Sequence, residues 1–277
     1  MADYPVTQAI EIERSGANHN GPWMTLWFNQ ARKRNPLTDE TSAELKSVFK
    51  ILRDDRSVRG VTLRGRGGVF CSGGDLKSFK EVFQNTAKSG SSRAEIMAMS
   101  RGAADLFDGF NSLPQVTISL IEGAAVAGGF GLACCSDYVI CDAAAKFSMT
   151  ETMIGLSPAQ IAPFVIQRLG YARARRLMLT GARFTGAEAK DLGLADFTAA
   201  TLDELNAHEE TLRAQVLRCA PGAVADTKAL LIALTELPRD VAVEAAAENF
   251  AGRMLSDEAK EGLTSFFEKR KPHWAEI

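Results

Sequence analysis

The chain has 277 residues, 46% of them hydrophobic, enough for one large domain or two small ones around a real core. Its 32 basic and 34 acidic residues leave a net charge of −2, which gives no electrostatic case for nucleic acid or an anionic membrane surface. No run of about 18 apolar residues occurs. The N-terminal "MADYPVTQAIEIERSG" lacks a basic segment followed by an apolar one, and the five cysteines have no C-x-x-C spacing. A reduced, cytoplasmic chain without a membrane span is the reading that follows.

In chain order, "QAIEIER" and "WMTLWFN" read as strands. "TSAELKSVFKILRDD" repeats Leu45, Val48, Phe49 and Leu52 at helical spacing, with Thr41 and Glu44 as a possible capping box and Thr38 as a rival cap. "GVTLRG" is a buried-type strand broken by "GGVFCSGGD", and a helix is predicted over about residues 92–112. "QVTISLI" is a further strand, followed by "AVAGGFGLACCSD", where a helix opens on small residues, and then by short strands in "DYVICD" and "AKFSM". This alternation predicts an α/β layered core. From about residue 158 strand signals vanish. "AQIAPFVIQRLG", "YARARRLMLTG" and "TGAEAKDLG" read as short helices, the last with a Thr185–Glu188 capping box and a Gly193 stop. The final ~70 residues read as wholly helical. There "SDEAKEGLTSFFEKRKP" places a Ser256 cap and acids at its start, bases at its end, and Pro272 as terminator.

Two corners carry glycines between a predicted strand and a predicted helix. One holds Ser72, Gly73, Gly74 and Asp75; the other holds Gly128 and Gly129. Helix N-termini offer free N–H groups, and glycine admits close approach, so two facing corners could aim two donors at one oxygen. Turn geometry alone would also explain either corner taken singly. A phosphate loop has no support, because the G-x-x-x-x-G-K-[ST] pattern is missing.

From Pro36 to about Phe197, and again at the tail, the chain resembles the enoyl-CoA hydratase/isomerase (crotonase) superfamily. The resemblance rests on "RNPL", "FCSGGDLK", "EGAAVAGGFGLACCSD", "AKFSMTETMIGLSP", "LTGARFTGAEAKDLGLA" and "SFFEKRKP", in the family's order. It implies a spiral of ββα units over residues 1–200 that carries an acyl-CoA site. A helical region over 201–277 would build a homotrimer or a hexamer. It places the two oxyanion donors at Gly74 and Gly128, and lines the acyl-CoA channel with Ser72, Gly74, Asp75, Leu76 and Lys77. Arg32, Lys33 and Arg34 fall where the family meets the nucleotide end of coenzyme A. Phe266 and Lys269 would reach a coenzyme A bound mainly by another part of the trimer. For any one of these bases a solvated surface is an equally good reading. Coenzyme A enters as part of the substrate, with no separate cofactor and no metal.

The family's hydratases use two glutamates, and the resemblance supplies only one. Glu151, in "KFSMTE", matches the second and could exchange a proton near neutrality. The first falls on Gly131. Glu122, Asp137 and Asp75 do not obviously replace it; Asp137 matches a structural position, and Asp75 suits a helix cap. Reversible hydration with Glu151 doing both proton transfers and a Δ3-Δ2 isomerisation both remain open. "GLSPAQIAPFVIQRLG" departs from the family's glycine-rich version and is similar to hydratases of branched glutaconyl-CoA substrates, notably isohexenylglutaconyl-CoA hydratases. A glycine at 131 would then make room for a branched acyl group. His19, His208 and His273 lie outside both corners, and Cys71 reads as a small buried hydrophobe, so no nucleophilic pair is expected. A thioester hydrolase or a silent acyl-CoA-binding protein on the same scaffold are the other classes considered.

Overall fold

The computed structural model describes residues 3–16, 21–77, 80 and 93–275. Strands β1 (Ile10–Arg14), β2 (Trp23–Phe28), β3 (Gly60–Gly65), β4 (Val116–Ile121), β6 (Tyr138–Asp142) and β9 (Phe197–Ala199) form a sheet in the order β1-β2-β3-β4-β6-β9. Only β1 runs antiparallel to its neighbour. Strands β5 (Ala124–Val126), β7 (Lys146–Ser148) and β8 (Arg183–Thr185) form a second, small sheet.

The helices are α1 (Asp39–Leu52), α2 (Arg93–Asn111), α3 (Gly128–Cys135), α4 (Ala162–Leu169), α5 (Tyr171–Thr180), α6 (Gly186–Leu192), α7 (Leu202–Leu217), α8 (Pro221–Leu234), α9 (Arg239–Met254) and α10 (Asp257–Phe267). The chain repeats one move. A strand of the large sheet passes into a short extended segment of the small one and then toward a helix. β2 leads to Leu37 and α1, β3 to Cys71–Gly74, and β4 to β5 and α3, while β6 leads to β7 and a 3-10 turn. The short segments pair in register: Leu37 with Gly74, Cys71 with Ala125, and Val126 with Ser148. Successive turns of this ββα spiral therefore bring equivalent corners side by side.

β3 and β4 are buried along their whole length, as parallel strands covered on both faces should be. One face packs Leu63 and Phe70 against Leu45 and Phe49 of α1, Phe110 of α2 and Phe130 of α3. The other face sets Trp23, Ile118 and Ile140 against Leu205, Leu212 and Val216 of α7. Polar groups on that second face pair with one another: Trp23 Nε1 donates to Thr62 Oγ1 (2.9 Å), and Thr62 donates to Glu209.

Three expectations need correction. Thr38, not Thr41, caps α1, accepting from the Thr41 N–H at 3.1 Å. Glu44 instead takes the Gln8 and Ile10 N–H groups at 2.9 Å, holding β1. Strands do occur after residue 158, at β8 and β9, each too short to show a period. Finally, α10 ends at Phe267, with no base in its last turn. Lys269 has a φ of 55°, and Arg270 folds back onto Glu261 (2.6 Å) and Glu268 (2.7 Å). In the single chain α9 buries no residue, and Phe250, Leu263, Phe266 and Phe267 are exposed.

Candidate active site

The two glycine corners are zipped together by backbone hydrogen bonds. Cys71 N–H donates to Ala124 O (3.0 Å) and Val126 N–H donates to Cys71 O (2.9 Å). Gly73 has a φ of 89°, and a Cβ there would lie 2.8 Å from Val126 O and 2.9 Å from the Ala127 Cβ. Only glycine allows this approach. Across the gap, Ala127 holds φ 49° and ψ −116°, a conformation costly for a residue with a Cβ. Its N–H is fixed to Ser148 O at 2.9 Å. The strained residue starts α3 and leaves the Gly128 N–H outside the helix ladder. A Cβ on Gly128 would sit 3.9 Å from the Gly74 nitrogen, so the two donors flank one small space. Among the described residues, no acceptor takes either N–H. The positive end of α3 adds to the attraction for an anionic oxygen.

Glu151 reaches this neighbourhood through β7. Parallel pairing of Val126 with Ser148 sets the register, and Glu151 opens a 3-10 turn (Glu151–Ile154) that Gly155 ends at φ 78°. Beneath it, Phe130, Phe147 and Phe184 lock α3, β7 and β8 together. The Phe147 and Phe184 rings stack at 5.5 Å, and Phe130 meets Phe184 edge-on at 5.9 Å. Such pairs contribute about 0.5–1.5 kcal/mol each beyond area burial. Glu151 is half-buried, and its Oε2 has essentially no solvent contact and, among the described residues, no hydrogen-bond partner. Burial pushes its carboxyl above the ordinary glutamate range, against a smaller downward pull from its own backbone N–H.

Gly131 lies one turn of α3 beyond Gly128 and is buried. The space its missing side chain would take is not open, which corrects the expectation of room for a branched acyl group. Ile161 and Phe107, each 4% exposed, fill it.

The other anticipated residues sort clearly. Arg32, Lys33 and Arg34 are exposed beside the first corner, where Ser72 N–H donates to Arg34 O at 3.1 Å. Asp75 Oδ1 accepts from the Lys77 N–H at 3.0 Å, as a cap does, and Leu76 and Lys77 are exposed. Phe266 and Lys269 lie at the end of α10, and Phe266 is 77% exposed. Glu122 is bound to Arg64 (3.1 Å), and Asp137 to Thr117 and Lys228 (2.7 Å to its Nζ), so neither acid is free to replace a carboxylate at 131. His208 stacks on Phe197, His273 meets Trp274 edge-on, and His19 lies outside the described residues. Burial pushes the Cys71 thiol up to about 12, leaving no thiolate at neutral pH. Among the described residues no group of His, Cys, Asp and Glu could hold a metal ion. A cleft of about 750 Å³ beside Asp137, Arg168, Lys228 and Leu231 includes neither corner, and its ion pairs are internally satisfied.

Sequence reading missed Asn35, whose buried side chain donates to Arg66 O (3.0 Å) and Val69 O (2.6 Å) and accepts from the Gln30 N–H, tying residues 30–35 to the first corner. It also missed the strain at Ala127 and the part played by Phe107 and Ile161.

The sequence profile of the enoyl-CoA hydratase/isomerase family matches residues 23–276. Among solved structures, Pseudomonas aeruginosa AtuE is 39% identical with a TM-score of 0.90, over 97% of this chain and 100% of that one. An enoyl-CoA hydratase/isomerase from Marinobacter aquaeolei is 37% identical with a TM-score of 0.89, over 97% and 99%. The carnitinyl-CoA dehydratase of Proteus mirabilis (strain HI4320) is 32% identical over 248 residues, 87% of this chain and 91% of its own. The chain belongs to the enoyl-CoA hydratase/isomerase family and has the crotonase fold.

Proposed function

We propose that the protein is an enoyl-CoA hydratase that adds water reversibly across the C2=C3 bond of a 2-enoyl-CoA, with one glutamate and two backbone donors. What supports this reading is Glu151, a half-buried carboxylate whose Oε2 lacks a partner among the described residues, three positions after Ser148, whose carbonyl holds the Ala127 N–H next to the free Gly128 N–H. The thioester oxygen accepts both N–H groups. As water oxygen bonds to C3, the C2=C3 electron pair moves toward the thioester and negative charge builds on that oxygen. Donors already in place can contribute about 3–4 kcal/mol each to that charge. Glu151 takes the proton released by the attacking water and then delivers it to C2. Hydroxyl ends on C3, hydrogen on C2, and Glu151 returns to its starting state. A carboxyl pushed upward by burial is better matched to both halves of this relay at neutral pH.

Lys33 and Arg34 meet the nucleotide end of coenzyme A, and the segment Ser72–Lys77 lines the channel. Phe266 and Lys269 serve a neighbouring copy in a trimer or hexamer, for which the apolar residues left exposed on α9 and α10 supply surface. A second reading, Δ3-Δ2-enoyl-CoA isomerisation, is favoured by one specific observation: the apolar filling at Gly131 leaves no second group to hold water. Glu151 would then take a proton from C2, leaving a dienolate held by the two N–H groups, and return it to C4 as the double bond moves from C3=C4 to C2=C3. Incubation with 2-enoyl, 3-enoyl and 3-methylglutaconyl-type CoA esters in heavy-oxygen water, read by mass spectrometry, separates the readings. Label at C3 is the expected result. A shifted double bond without label establishes isomerisation, and free coenzyme A establishes hydrolysis.

A further inference from the structure

Two departures from the family's pattern, Gly131 and the Ile161 segment, turn out to be one contact. A Cβ built on Gly131 would lie 2.8 Å from the Ile161 Cβ, closer still to its Cγ2, and 3.2 Å from Phe107 Cε1. Real Cβ atoms essentially never come within 3.0 Å of another heavy atom. Ile161 cannot readily step aside. It precedes α4, its carbonyl accepts from the Val165 N–H at 3.0 Å, and its β-branched side chain has few rotamers. Its neighbour Gln160 donates to Ser100 of α2 at 2.8 Å. Phe107 is backed by Phe164, ring centroids 6.2 Å apart, and its Cζ lies 3.7 Å from the Cβ position of Gly128. One ring edge therefore covers both glycines of the same helix face.

We propose that Ile161 and Phe107 are specificity-determining residues: they build a dry apolar wall where a second carboxylate would stand. The wall selects thioesters that turn an apolar group toward it and leaves proton transfer to Glu151 alone. The inference rests on the acyl-CoA reading above. Three helical residues advance about 4.5 Å, so a wall at Gly131 lies beside C2 to C4 of an acyl group whose oxygen is held at Gly128. A hydroxyl or carboxylate pressed there finds no partner and is penalised, whereas a methyl is not.

Two measurements test this. The first is a thermal double-mutant cycle of Gly131→Ala and Ile161→Ala. Alanine is normally the better helix former, so Gly131→Ala alone should raise Tm if the place were empty. Here it lowers Tm, and the loss shrinks by at least half once Ile161 is also alanine. A neutral or stabilising Gly131→Ala, or strictly additive changes, overturns the proposal. This arm needs no activity, so it stands even if the acyl-CoA reading fails, a failure that would show as no turnover of any enoyl-CoA. The second compares Ile161→Val with Ile161→Thr, near-isosteric side chains that differ in one hydroxyl. The ratio of kcat/KM for crotonyl-CoA over 4-hydroxycrotonyl-CoA should fall about tenfold in Ile161→Thr and stay within about twofold in Ile161→Val. Equal ratios in both variants overturn it, since a purely structural role would move the two substrates together.

Discussion

The two walls of the site stand on the same spiral and are built to opposite rules. At Glu151 a carboxylate is half-buried with one oxygen lacking a partner among the described residues, and its pKa is pushed upward. At Gly131 the atoms nearest the place of the missing side chain are apolar, from Ile161 and Phe107, and they fill it to contact. An unpaired buried carboxylate costs stability, while a filled apolar contact contributes to it. The cost is therefore concentrated where the proposed mechanism moves a proton, and the Gly131 wall is packed like ordinary core.

The contrast can be broken at several points, with effects of decreasing size. Glu151→Gln keeps shape and removes the base. It is expected to lower kcat by about 10²–10⁴-fold while acyl-CoA affinity, read by calorimetry, changes little. Gly73→Ala would wedge a methyl between the corners and hold φ 89° with a Cβ present. About a tenfold to hundredfold fall in kcat is expected, with about 1–3 kcal/mol lost from stability in urea unfolding. Normal kcat in that variant would show that the spacing of the two donors does not matter.

The smallest effect is thermal. Because the folded state raises the Glu151 pKa, it binds protons more readily than the unfolded chain over that window. Wild-type stability therefore falls as pH rises from the ordinary glutamate range through the raised value. Glu151→Gln does not titrate, so its Tm should match wild type near pH 4 and exceed it by about 1–3 °C at pH 8. A Tm advantage that is independent of pH would remove Glu151 ionisation as its cause.

Much of this was legible in the sequence, and the parts that were not have physical reasons. β3 and β4 are long apolar runs, and Leu45, Val48, Phe49 and Leu52 mark α1 by their period. Three-residue strands such as β5, β8 and β9 carry no period, so their existence depends on partners that only the fold supplies. Gly74, Gly128 and Glu151 were found because a motif names them. The Cys71–Ala125 bridge then brings the two glycine corners together, and pairing of β5 with β7 runs the strand that leads to Glu151 alongside the second. The Gly131–Ile161 contact had no local signal: glycine looked like vacated space until its neighbour, far along the chain, was seen to occupy it. Asn35 gave no warning either, since a buried asparagine tying a loop to a distant corner has no spacing rule.

The central claim is that Glu151 moves a proton at C2 of a thioester held by Gly74 and Gly128. The most direct test avoids the question of acyl group and of hydration against isomerisation. Wild type and Glu151→Gln are incubated with saturated butyryl-CoA in heavy water, and deuterium at C2 is followed by mass spectrometry. Steady deuterium uptake with wild type and none above the enzyme-free rate with Glu151→Gln is the expected result. Equal uptake by the two proteins would contradict the account.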